Sequence, residues 1–173
     1  MPGSGKSTIV SALKTKGFEA LNLGDGVRAE AKRRNLEPTG DNLGKLMLEL
    51  REKNGPGAIA ELLIEPIKNS QSKVIIIDGV RSTAEIEVLK NVGSVKLLSI
   101  EATDDTRYKF LSSRGRSDDP TTREKFEERD NRELGVGIGE SIAIADETIS
   151  NSGISLDELT ELASKAIEKW IET

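Results

Sequence analysis

Four apolar runs rich in β-branched residues predict β-strands: Phe18–Leu23, Lys73–Ile77, Val95–Ile100 and Glu147–Ser150. The run Val74–Ile77 has no polar alternation, which predicts a strand buried on both faces, as in a parallel sheet covered by helices. Apolar positions recur at helical spacing over Lys6–Lys16, Gly26–Asn35, Asp41–Lys53, Ala58–Asn69, Thr83–Asn91, Asp104–Ser113, Thr122–Leu134 and Leu156–Glu172. Three helix starts carry Ser or Thr followed three residues later by Glu: Ser82 with Glu85, Thr121 with Glu124, and Ser155 with Glu158. The alternation of strand and helix predicts an α/β fold, a three-layer doubly wound parallel sheet in one domain over residues 1–173.

Composition narrows the chemistry. With no His and no Cys, disulfides, thiol nucleophiles, the usual zinc sites and imidazole acid–base catalysis are excluded. Function must rest on Lys, Arg, carboxylates, hydroxyls and backbone. The net charge of −5 argues against a nucleic-acid surface as the main business. No stretch approaches the roughly 18 apolar residues of a membrane span, and an apolar signal-peptide run is lacking, so a cytoplasmic location is expected. Charge is unevenly spread: six of the eleven arginines (Arg107, Arg114, Arg116, Arg123, Arg129 and Arg132) fall between residues 101 and 133. On its own this segment reads as a solvated helical hairpin laced with ion pairs.

The first residues alter that reading. Gly3-Ser4-Gly5-Lys6-Ser7-Thr8 ahead of a helix is the end of a G-x-x-x-x-G-K-[S/T] phosphate loop, in which small residues let backbone N–H groups converge on phosphate oxygens. Lys6 is expected to reach the β- and γ-phosphates of ATP, and the Ser7 hydroxyl to ligate Mg²⁺. The pattern's first glycine would fall just upstream of Met1, and the strand that normally feeds such a loop has no counterpart here. A native start upstream of Met1 is therefore expected, together with a groove between strands that the absent strand would fill.

Further along come Gly24-Asp25-x-x-Arg28, Asp78-Gly79-Val80-Arg81 and Arg116-x-Asp118-Asp119. With the phosphate loop, this order resembles the adenylate kinase and nucleoside monophosphate kinase superfamily, most of all an uncharacterised archaeal family of adenylate kinase-related P-loop proteins. The final strand and Asn151-Ser152-Gly153 turn also resemble dephospho-CoA kinase. The resemblance implies a helical acceptor-binding insertion over about residues 25–70 and a short Arg-rich lid over about residues 107–132. It implies that Asp25, Arg28 and Arg81 serve the acceptor phosphate, that Asp78 joins Ser7 at the magnesium, and that Arg107, Arg114 and Arg116 are lid arginines. Lys6, Arg81 and Arg116 would carry catalysis. Glu85 stands where adenylate kinases read the acceptor base, but it could equally be the capping partner of Ser82. Asn151 is either an ordinary turn residue or a neighbour of the donor base.

These residues suit phosphoryl transfer, which asks mainly for positioning and charge neutralisation. Arginine binds phosphate bidentately and stays charged. A phosphate acceptor is largely dianionic at neutral pH and attacks without a general base, whereas an alcohol would want a carboxylate such as Asp25 or Asp78. The expectation is ATP- and Mg²⁺-dependent transfer to a small-molecule nucleotide. Transfer to a hydroxyl in the manner of dephospho-CoA kinase, plain ATP hydrolysis, and a nucleotide-binding regulatory module remain as alternatives.

Overall fold

The computed structural model describes residues 1–116 and 119–172. Four strands, β1 Glu19–Asn22, β2 Ile75–Asp78, β3 Leu98–Glu101 and β4 Glu147–Ser150, overlap the four apolar runs. The helices are α1 Lys6–Thr15, α2 Leu23–Arg33, α3 Gly40–Asn54, α4 Ala58–Glu61, α5 Ile64–Asn69, α6 Thr83–Lys90, α7 Asp104–Arg114, α8 Arg123–Val136, α9 Ile138–Ala143 and α10 Leu156–Ile171.

Both strand pairs are parallel, as helical crossovers require. β1 lies beside β2, from Glu19 opposite Ile75 to Asn22 opposite Asp78. β3 lies beside β4, from Leu98 opposite Glu147 to Glu101 opposite Ser150. Among the described residues the four strands form two separate two-stranded sheets. This corrects one expectation. Ile75, Ile76 and Ile77 are only half-buried rather than enclosed on both faces, because β2 is paired along a single edge and apolar sequence cannot bury itself without neighbours.

Two apolar cores flank β2. One joins Leu23 and Val27 of α2 to Leu46 and Leu50 of α3 and Ile59 of α4, with Ile77 packed against it. The other joins Ile9 and Leu13 of α1 to Ile100, Ile149, Leu159 and Ala163, with Ile76 packed against it. β2 therefore ties the α2–α4 layer to the α1–α10 layer, and Asp78 at its end falls where they meet.

Helix boundaries follow local chemistry. The helix expected over residues 58–69 is two, α4 and α5. Pro66 lacks an amide hydrogen, and its ring crowds the carbonyl four residues back, at Leu62, where the break falls. α2 starts at Leu23, earlier than expected, because the Asn22 side chain accepts from Asp25 N and caps it. Ser155 and Glu158 form a complete capping box on α10. On α8 the cap is Thr122, whose hydroxyl accepts from Lys125 N, and not the expected Thr121. Replacing Thr122 with alanine should cost about 1 kcal/mol, and Thr121→Ala no more than about 0.5 kcal/mol. Urea unfolding midpoints of the two variants check this ordering.

Candidate functional site

The loop ahead of α1 is held between α7 on one side and Asn151 with α10 on the other. Gly3 has φ 80°, and a Cβ there would lie 2.7 Å from the Arg107 carbonyl oxygen. Gly5 has φ 101°, and a Cβ there would lie 2.6 Å from Nδ2 of Asn151. Both backbone conformation and neighbours therefore demand glycine. Ser4 between them is fully buried. Its carbonyl accepts from Asn151 Nδ2 at 3.1 Å and its hydroxyl from Lys6 Nζ at 3.1 Å, so Ser4 shapes the loop rather than lining it. No side chain caps the start of α1; the Thr8 amide donates to the Gly5 carbonyl at 3.1 Å, and an uncapped helix start ahead of it is an arrangement that favours anions.

A cavity of about 460 Å³ lies over this loop, walled by Gly3, Gly5, Lys6, Ser7 and Thr8. Arg28, Arg81, Arg114, Arg116 and Arg129 reach the same cavity, with Asp78 the one carboxylate of its wall among the described residues. Guanidinium groups in such number offer bidentate donors to phosphate oxygens, and Arg28, Arg81, Arg114 and Arg129 are each also paired with a carboxylate. A second cavity of about 450 Å³ adjoins it, and Ser7, Asn22, Arg28, Asp78 and Arg116 line both. Asp25 lines the second cavity, where its exposed carboxylate pairs with Arg28 at 2.7 Å.

Several side chains are held in place by partners distant in sequence. Lys6 Nζ donates to the Met1 carbonyl at 2.6 Å, and burial first of all lowers its pKa to about 8, with Asp78 opposing that shift. Asn22 donates to Asp78 Oδ2 at 2.8 Å while capping α2. Arg81 pairs through Nε with Glu133 at 2.9 Å. Asp119 pairs with Arg114 and, at 3.7 Å, with Arg129, and it accepts from Arg116 N at 2.8 Å. Burial works against the Asp119 carboxylate, yet these hydrogen bonds and charges hold its pKa below the ordinary value. Asp118 lies outside the described residues.

Besides Ser4, two expected site residues are placed away from the cavity walls. Glu85 is fully buried. It accepts from Arg51 Nη2 at 2.9 Å and from Arg81 N at 2.7 Å, and it lines neither cavity. The acceptor-base role gives way to that of a post under Arg81, and the capping pair is half made: Ser82 accepts from Glu85 N, while the Glu85 carboxylate is taken by Arg81. Arg107 is 3% exposed, pairs with Asp104 and Asp130, and donates to the Pro2 carbonyl at 3.1 Å. It too is absent from the cavity walls. A guanidinium with this many internal partners buttresses the loop instead of moving with a lid.

Sequence reasoning did not single out Asn22 or Glu133, and it named Arg129 only as one of the six arginines of the Arg-rich segment. Asn22 carried a local signal as the polar residue before a helix; the other two carried none beyond charge. Ser7 and Asp78 are two hard oxygen donors on the wall common to both cavities, a set that suits Mg²⁺ when phosphates complete the shell. Among the described residues no group of three or more acidic side chains would hold a metal ion alone, and no helix is long and apolar enough to cross a membrane.

Residues 1–127 match the model of a family described as an AAA domain. The UPF0200 protein of Hyperthermus butylicus is 39% identical over 169 residues, 98% of this chain and 90% of that protein. That of Pyrococcus abyssi is 41% identical over 156 residues, 87% of this chain and 83% of that one. The crystal structure of TT1252 from Thermus thermophilus superposes with a TM-score of 0.63 at 18% identity, over 97% of this chain and 92% of that one, and so shares the fold. Loop, fold and relatives agree on a P-loop, kinase-like nucleotide-binding domain, and the chain belongs to the archaeal UPF0200 family.

Proposed function

We propose that the chain is an ATP- and Mg²⁺-dependent phosphotransferase that passes the γ-phosphate to a nucleotide bearing a phosphate. The observation that carries this reading is the pair of adjoining cavities with a common wall of Ser7, Asn22, Arg28, Asp78 and Arg116. A hydrolase or a switch needs one nucleotide cavity; a transferase needs two that meet at the transferred group.

In this reading the triphosphate lies on the loop amides and Lys6, and the acceptor phosphate enters the second cavity toward Arg28. Mg²⁺ held by Ser7 and Asp78 would neutralise charge on the β- and γ-phosphates. An acceptor phosphate oxygen forms a bond to the γ-phosphorus as the bond to the bridging oxygen breaks, and the electron pair leaves with ADP. The acceptor is already a dianion, so no proton has to be removed. Arg81 and Arg116 stabilise the equatorial oxygens, where charge accumulates.

The Asp25 environment supports a phosphate acceptor over an alcohol. Its carboxylate is bound to Arg28 at 2.7 Å, which makes it an orienter of that guanidinium rather than a waiting base. Asp25→Asn should therefore change turnover by no more than roughly fivefold, the scale of one exposed ion pair. A coupled assay of ATP consumption over AMP, CMP, UMP, dephospho-CoA and water tests the whole reading. Acceleration by a monophosphate is expected. Rates no faster than with water alone would sink it, and acceleration by dephospho-CoA together with loss of activity in Asp25→Asn would point to a hydroxyl acceptor.

A further inference from the structure

The inward stripe of α8 is charged. Positions 126, 130 and 133 recur at helical spacing, where an amphipathic helix presents apolar side chains. Phe126 does so and is fully buried, but the next two positions are Asp130 and Glu133, at 14% and 7% side-chain exposure. Glu127, Glu128 and Arg132 of the same helix are exposed. A carboxylate taken out of water needs a counter-charge. Asp130 finds Arg107, which buttresses the phosphate loop, and Glu133 finds Arg81, which lines the cavity over that loop.

Three helices hold Arg81. Glu85 of α6 accepts from its backbone amide at 2.7 Å, Glu133 of α8 pairs with Nε at 2.9 Å, and Nη1 donates to Met47 Sδ of α3 at 3.5 Å. The end of α8 is itself seated on this segment. Gly137, which closes the helix with φ 107°, would place a Cβ 3.8 Å from the Ser82 Cβ and 4.0 Å from the Arg81 carbonyl oxygen. A buried ion pair adds little net stability over apolar side chains of the same volume. What the Glu133 pair fixes is the direction of one guanidinium.

We infer that Glu133 is a positioning residue for phosphoryl transfer: it holds Arg81 by Nε, so that Nη1 and Nη2 are set for the transferred group before the reaction begins. A thioether is a weak acceptor, so a phosphate oxygen replaces Met47 at Nη1 while Glu133 keeps Nε. The inference rests on the proposal that Arg81 stabilises the transferred phosphoryl group.

A double-mutant cycle on the full chain tests it, with kcat and KM read on the fastest acceptor among AMP, CMP and UMP and Mg²⁺-ATP affinity read by calorimetry. Arg81→Ala should lower kcat by about 10²-fold or more. Glu133→Met keeps the volume and removes the acceptor; it should lower kcat by about 10- to 10²-fold, the scale of a misplaced group, with KM values and ATP affinity within about threefold of the parent. Glu133→Gln retains an oxygen for Nε and should lose only about three- to tenfold in kcat. In the Arg81→Ala background either change should cost no more than about twofold, because the group that Glu133 acts through is gone. Should Glu133→Met fail to fold, the glutamine arm of the cycle decides alone. The inference is overturned if a folded Glu133 variant keeps the parental kcat, if its loss is as large with Arg81→Ala as without it, or if it weakens ATP binding by more than about tenfold. Each of those results leaves the transfer reading standing. No acceleration of ATP loss by any of the three acceptors overturns the transfer reading and the inference with it, and a parental kcat in Arg81→Ala removes Arg81 from the reaction and Glu133 with it.

Discussion

Replacing Arg107 with alanine is expected to destabilise the protein by about 3–5 kcal/mol, the scale for breaking a buried ion pair and stranding its partner. The guanidinium is 3% exposed, sits 4.8 Å above the Phe126 ring, and bridges Asp104, Asp130 and the Pro2 carbonyl. Its loss leaves Asp130, at 14% side-chain exposure, without its main counter-charge, and leaves the loop without a tether to α7. On a total of about 5–15 kcal/mol for a domain, this is a large fraction, equivalent to a melting-point drop of roughly 10 °C. Urea unfolding measures it, and the double variant Arg107→Met with Asp130→Leu, which removes both charges, should recover much of the loss. If Arg107→Ala unfolds within 1 kcal/mol of the parent, roughly the worth of an exposed pair, and loses only transfer, then Arg107 is a lid arginine after all.

The contrast between Arg107 and Arg114 shows what sequence carries and what it does not. Both are arginines of α7 in an acid-rich segment, and by letter they are interchangeable. One is enclosed by carboxylates and an aromatic ring while the other lines the cavity, and only the packing of α7 on Gly3 decides which. Features that depend on neighbours in the chain were legible. The phosphate loop is backbone geometry set by adjacent glycines, and α10 is announced by its capping box and amphipathic repeat. Features that depend on distant partners were not. Asn22 meets Asp78 across 56 positions, and Asn151 meets Ser4 across 147, so neither pairing leaves a local trace. The half-burial of Ile75–Ile77 has the same origin: an apolar run states a preference for burial, while the number of paired strands decides how much is realised.

Replacing Lys6 with methionine keeps the length of the side chain and removes the charge, and it is expected to lower phosphoryl transfer by about 10²–10³, the loss found when one donor to developing negative charge is removed. The pH dependence of the parent gives an independent check. Burial lowers the Lys6 pKa from 10.5 to about 8, so the unliganded fold discharges this ammonium while the unfolded chain still holds its proton. Between pH 8 and 10.5 the unfolded state therefore binds more protons at this group, and the contribution of Lys6 to stability rises with pH; below 8 both states are charged and the cost of burying the charge is fully present. A polyphosphate reverses the balance by drawing the pKa back up. Mg²⁺-ATP affinity should thus be flat up to about pH 8 and then fall by up to tenfold per unit, with uptake of about half a proton on binding at pH 8. Titrations in buffers of different ionisation enthalpy read that proton directly, and Lys6→Met should show neither the uptake nor the decline. Affinity in the parent that stays level from pH 7 to 10 would mean that Lys6 does not meet the phosphates.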